Sequence, residues 1–110
     1  MAYDAELAER VRELLAPLPG VQEKPMFGGL AFLINGNMSV AASGHGGLLV
    51  RVPPDDTDKL LERQHVSPMV MRGRQARGWL RVEADALRTR RQLMSWVARS
   101  VGYTRSLRPK

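Results

Sequence analysis

An α+β fold is predicted for this chain: a two-layer sandwich in which an antiparallel sheet carries an amino-terminal and a carboxy-terminal helix on one face. Three observations predict it. Leu7, Val11, Leu14, Leu15 and Leu18 recur at steps of three and four near one end, and Leu93, Trp96, Val97 and Val101 do the same near the other. Between these stripes lie short apolar runs separated by Gly, Pro and an Asn-Gly pair, the pattern of successive hairpins. At 110 residues with 44% hydrophobic and 25% charged side chains, the chain suits one ordered domain over residues 1–110, large enough for one core but not two.

The first helix begins after Asp4, a capping residue, and ends at Pro17, Pro19 and Gly20. A strand is expected over 26–34, then a turn at Asn35 and Gly36, the pair that a two-residue type I′ hairpin needs at its central positions. Gly28 and Gly29 occupy places where the backbone needs either positive φ or a close approach. A second strand over 38–42 leads through the Gly-rich stretch SGHGG to a third over 48–52. Pro53 and Pro54 break that strand. Residues 55–63 suit a short helix opened by proline and acids. Pro68 marks a further boundary, and 69–72 with 78–82 read as a second hairpin joined by 73–77. Alternation puts Leu80 and Val82 on one face of it and Trp79 with Arg81 on the other. The closing helix spans roughly 89–103.

Apolar residues fall on both faces of the strand over 26–34, where Phe32 and Ile34 oppose Ala31 and Leu33. Two helices cover one face only, so the other is expected to meet solvent or a partner subunit, and a homodimer is the expectation. Methionines 26, 38, 69, 71 and 94 fall where packing is expected, either in the core or on a protein-binding surface.

No catalytic, cofactor or metal constellation is discernible. The chain has no Cys and two His, His45 and His65, without ligand spacing. Its serines occupy no G-x-S-x-G elbow, and SGHGG lacks the Lys-Ser/Thr ending and following helix of a phosphate loop. There is no apolar run of the ~18 residues that a membrane span needs. The acidic start lacks the flank of a secretory signal, so a cytoplasmic location is expected.

Charge is unevenly distributed. Residues 1–55 hold 4 Lys/Arg and 6 Asp/Glu, whereas residues 56–110 hold 13 and 5. Arg72, Arg74, Arg77 and Arg81 crowd the second hairpin around Trp79, a candidate surface for nucleic acid or an anionic partner. The alternative is a solvated face with Trp79 packed as a strand residue.

The stretch MFGGLAFLINGNM, with Met26, Phe27, Gly28, Gly29, Asn35 and Gly36, resembles the amino-terminal domain of the TfoX/Sxy family, the bacterial competence regulators and their short stand-alone relatives. The segments LLVRV, RGWLRVE and LMSWVARSVGYTRSLRPK extend the resemblance over nearly the whole chain. Longer members carry a second, helical domain; this sequence ends at Lys110 and resembles the stand-alone type. The resemblance implies a cytoplasmic, non-enzymatic regulatory α+β module without cofactor, acting through protein partners of the transcription machinery. Direct, low-specificity nucleic-acid binding by the Arg-rich second half is the alternative function.

Overall fold

In the computed structural model, which describes residues 3–26 and 28–110, α1 (Ala5–Leu15) starts where the Asp4 carboxylate accepts hydrogen bonds from the backbone N–H groups of Glu6 and Leu7. Two of the four donors orphaned at a helix start are thereby satisfied. Its Leu7, Val11 and Leu15 are buried, and Leu14 and Leu18 are half-buried. The last helix, α3 (Arg90–Arg105), follows a reciprocal cap: Gln92 N–H donates to the Thr89 hydroxyl, and the Thr89 N–H donates to the Gln92 side chain. Leu93, Trp96 and Val97 face the core.

Between them run β1 (Val21–Met26), β2 (Gly29–Ile34), β3 (Asn37–Ala42), β4 (Leu48–Arg51), β5 (Val66–Met71) and β6 (Arg74–Val82), with a four-residue α2 (Thr57–Leu60) after β4. They form one six-stranded sheet in the order β1-β2-β3-β4-β6-β5, antiparallel at every pairing. Leu30, Phe32, Val40, Ala42, Leu48, Val50, Leu80 and Val82 pack against residues of α1, α2 and α3 in the main core. The expected two-layer α+β arrangement, with terminal helices on one face, is what the chain adopts. No helix of the described residues is long and apolar enough to cross a membrane.

The Gly pair divides its two tasks. Gly28 takes φ +77°, while a Cβ on Gly29 would lie 2.2 Å from the Ala42 carbonyl oxygen, so β2 and β3 approach only because that side chain is absent. Asn35 and Gly36 take φ 53° and 84°, the type I′ pattern expected of them. The chain end clasps this turn: Lys110 N–H donates to the Asn35 carbonyl at 2.8 Å, and the Asn37 side-chain amide donates to the Arg108 carbonyl at 2.8 Å. Phe27 of the family motif lies outside the described residues.

Three expectations need correction. The single strand over 26–34 is two strands, broken at Gly28, and β1 extends back to Val21 through polar residues. Pro68 lies inside β5 instead of marking a boundary. The second hairpin closes at Arg72 and Gly73, with φ 52° and 77°, so β6 begins at Arg74 and the expected 73–77 connection is mostly strand. The same physics underlies the first two: β1 and β5 are the two sheet edges, where a proline need not donate to a ladder and a strand need not alternate in polarity.

A bulge shapes the sheet centre. Phe32 pairs with Val40 but Leu33 pairs with Met38, leaving Ser39 as an extra residue on β3. Ser39 is fully buried against α3, where its hydroxyl lies 2.8 Å from that of Ser100 and 3.0 Å from that of Thr104. Ser100 also donates to the Ser39 carbonyl at 2.8 Å. These polar groups satisfy one another, and their bonds fix α3 against β3.

Candidate interaction surface

The sheet face away from the helices holds a second apolar cluster. Ala31, Ala41 and Leu49 are its buried centre, with Met26, Leu33, Met38, Met69 and Trp79 packed over them. Every member comes from a strand. Small side chains at the middle and long ones around them leave a hollow of about 200 Å³, flanked by the β5 tip and the 43–45 turn. Val70 and Met71 line it and are 56% and 44% exposed, two of the three large hydrophobic side chains exposed to this degree among the described residues. Methionine stems reshape readily around an apolar contact.

The register explains this distribution. Ala31, Ala41 and Leu49 lie opposite one another on β2, β3 and β4, and the row continues to Lys24 on β1 and Arg81 on β6. Ala31, Ala41 and Leu49 thus form the floor of a trough that crosses the strands, flanked by Lys24 on one side and by Arg81, itself opposite Ser67 of β5, on the other.

Of the residues singled out in the sequence, Trp79 and Arg81 share this open face, as alternation requires. Arg81 lines the hollow. Trp79 is half-buried, with the Arg51 guanidinium over its ring at 5.2 Å. Arg51 also reaches the Tyr103 ring, at 5.8 Å, and donates to the Met38 carbonyl at 3.4 Å. Arg77 instead lies 3.6 Å from Asp58 beside α2. The chain bends at Gly78, whose N–H donates to the Thr57 hydroxyl at 2.9 Å and whose carbonyl accepts from Val52 N–H. Arg72 and Arg74 are exposed at the hairpin tip. Trp79 and Arg81 therefore come together, whereas Arg77 departs toward α2. Met26 and Gly29 line the hollow beside the β1–β2 turn, where Gly28 lies, and Asn35 and Gly36 close the next hairpin beside Lys110.

Arg51, Lys24 and Met69 escaped the sequence reading as site residues. Met69 was visible only as a packing residue, and Lys24 lay in a strand not recognised as one. Arg51 had a signal, the cross-strand pairing of a cation with Trp79, but it requires the β4–β6 register to be known.

Ionisable groups with shifted equilibria sit elsewhere, in surface ion pairs. Arg12 donates to both Glu23 carboxylate oxygens, at 2.6 and 2.7 Å, and also pairs with Glu9. Those hydrogen bonds hold Glu23 below the usual carboxylate range and raise Arg12. Asp85 is lowered by its hydrogen bond from Arg88. Another concavity, of about 400 Å³, lies between α1 and α3 and is lined by Leu14, Leu18, Met94 and Val101 among others.

A family model described as the TfoX N-terminal domain matches residues 13–103. No curated protein and no solved structure gives a significant match.

Proposed function

The chain belongs to the TfoX N-terminal domain family, and from that membership we propose that it is a non-enzymatic regulatory adaptor, acting in the cytoplasm by binding a protein of the transcription machinery through its open sheet face. Membership supports a regulatory or adaptor-type domain. The observation that carries the rest is the second apolar cluster, in which Ala31, Ala41 and Leu49 are covered by strand methionines and Trp79 but by no helix. A sheet face of this kind offers apolar contact area to a protein partner.

Direct nucleic-acid binding has less support. Base stacking needs a free aromatic plane, and Trp79 already carries Arg51. Arg77 faces Asp58, and Arg81 sits in an apolar hollow.

The test is photocrosslinking in cells with p-benzoylphenylalanine at position 69, on the open face, and at position 13, on the exposed side of α1. Discrete protein adducts are expected from position 69 and not from position 13; none from position 69 would overturn the reading. Alongside it, a mixed-sequence DNA duplex is titrated at about 50 and about 200 mM salt, a range over which phosphate contacts weaken steeply. Binding that falls with salt and weakens in Arg74→Ala and Arg77→Ala would establish the nucleic-acid reading instead.

A further inference from the structure

The row Lys24, Ala31, Ala41, Leu49, Arg81 runs straight across five hydrogen-bonded strands. Building on the adaptor reading, we propose that this row docks an acidic amphipathic helix of the partner protein. Its apolar face would lie on Ala31, Ala41 and Leu49, with carboxylates toward Lys24 and Arg81.

Charge complementarity is the first argument. Among all residues of the six strands, Glu23 is the only acid. It points to the helix side, where Arg12 engages both its oxygens. By register, the open face carries Lys24 opposite Ala31, Arg51 opposite Trp79 and Arg81 opposite Leu49. None of these three cations belongs to an ion pair among the described residues, whereas Arg12, Arg77 and Arg88 each do. An apolar floor bounded by unneutralised cations selects a ligand that is apolar in the middle and anionic at its ends.

Dimension is the second. Four strand-to-strand steps of ~4.8 Å separate Lys24 from Arg81 by about 19 Å. At ~1.5 Å per residue that distance matches about 13 residues of helix, so the partner's carboxylates fall three to four turns apart. The trough has walls as well as a floor: Met26 stands on one side of the row, and Met38, Trp79 and, by the β5–β6 register, Met69 stand on the other. A floor of Ala31, Ala41 and Leu49 between such walls admits a rod-like ligand.

Competing occupants fit less well. Two copies of this chain placed face to face would bring Lys24, Arg51 and Arg81 of one copy toward the same set of cations on the other, a like-charge contact. Pairing through sheet edges meets Pro25 in β1 and Pro68 in β5. A phosphate backbone would satisfy the cations but leave the methionines uncovered.

The experiment uses the full chain and two synthetic helical peptides of 18 residues. One carries a leucine stripe with Glu at positions 3 and 17, about four turns apart on one side of the helix; its twin has Lys at those two positions. Affinity is read by fluorescence anisotropy, and the site by methionine methyl NMR. The acidic peptide is expected to bind at least about tenfold more tightly than its twin, shifting the methyls of Met26, Met38 and Met69 but not that of Met94 on α3. Arg81→Glu is expected to abolish the preference, and Lys24→Glu, an exposed edge position outside the core, to reduce it without affecting folding. The double variant is expected to prefer the Lys twin.

Equal affinity for both peptides, or shifts confined to Met94, would overturn the proposal. So would open-face shifts that depend on protein concentration alone, which would make a second copy the occupant, or displacement of the peptide by duplex DNA. Failure here is distinguishable from failure of the adaptor reading. If position 69 still crosslinks to protein in cells, the adaptor reading stands and only the acidic-helix chemistry falls; if it does not, both fall.

Discussion

The two faces of the sheet are built from the same strands and solve different problems. On the helix side of β2 and β3 stand Leu30, Phe32 and Val40; on the open side stand Ala31, Leu33, Met38 and Ala41. Large and β-branched side chains with few rotamers pack once, against α1 and α3, and hold one geometry. Alanines overlaid by methionines leave space and adaptable cover. Where buried polar groups occur on the helix side, they are bonded to each other, as Ser39, Ser100 and Thr104 are. The open-side cations Lys24, Arg51 and Arg81 form no ion pair among the described residues. One face is closed by the helices of the fold, while the cluster on the other is made of strand residues alone.

The largest effect that would sharpen this contrast is a pair of truncations. Phe32 is fully buried at the centre of the helix-side core, and Phe32→Ala is expected to cost about 3–5 kcal/mol in urea denaturation. Met69→Ala on the open face is expected to cost clearly less, about 1 kcal/mol, because its side chain is only partly buried and its neighbours can close over the gap. Comparable losses from the two variants would erase the distinction and make the open face ordinary core.

A smaller effect tests the polar contacts. Ser100→Ala removes a donor to the Ser39 carbonyl and a partner of the Ser39 hydroxyl, both at 2.8 Å and both buried. The expected cost is about 1–3 kcal/mol. Ser95→Ala, at an exposed position of the same helix, is expected to stay within about 0.5 kcal/mol. If the two serines proved equivalent by chemical denaturation, the Ser39 bulge would have no role in seating α3.

How much of this was legible in the sequence depended on whether a segment has two distinct environments. Both terminal helices could be read from their apolar stripes, because one side of each is core and the other water. The Asn35-Gly36 turn was legible because two consecutive positive φ values restrict composition sharply. Edge strand β1 was not, since four of its six residues are exposed, so no alternation of polarity marks it. Pro68 misled for the same reason. The hairpin turn at Arg72 was hidden because a non-Gly residue takes φ 52° there, a conformation that composition does not announce. Among the candidate site residues, the shared face of Trp79 and Arg81 followed from period-two alternation. The separate course of Arg77 did not, because it depends on the bend at Gly78 and on Asp58, 19 positions away in sequence. The trough was beyond reach altogether: a row across five strands exists only once every register is fixed.

The smallest expected effect lies in β1, where neighbouring residues serve opposite faces. Glu23 points toward α1 and is held below the ordinary carboxylate range, first by its hydrogen bonds from Arg12 and then by that cation's charge. A carboxylate lowered on folding contributes stability that is complete above its unfolded pKa and disappears as pH falls through its lower folded value. Wild type is therefore expected to exceed Glu23→Gln slightly in denaturation midpoint at pH 7, and the gap is expected to close on acidification below the ordinary glutamate value of 4.5. The difference is small because about a third of the side chain is exposed and screened by solvent. Lys24→Gln, one residue along but on the open face, has no internal ion pair to lose, so its midpoint is expected to track wild type across the same acid range. A gap that persists for Glu23→Gln at low pH, or one that appears for Lys24→Gln, would mean that the two sides of this edge strand are not divided into a side tied to α1 and a side left open.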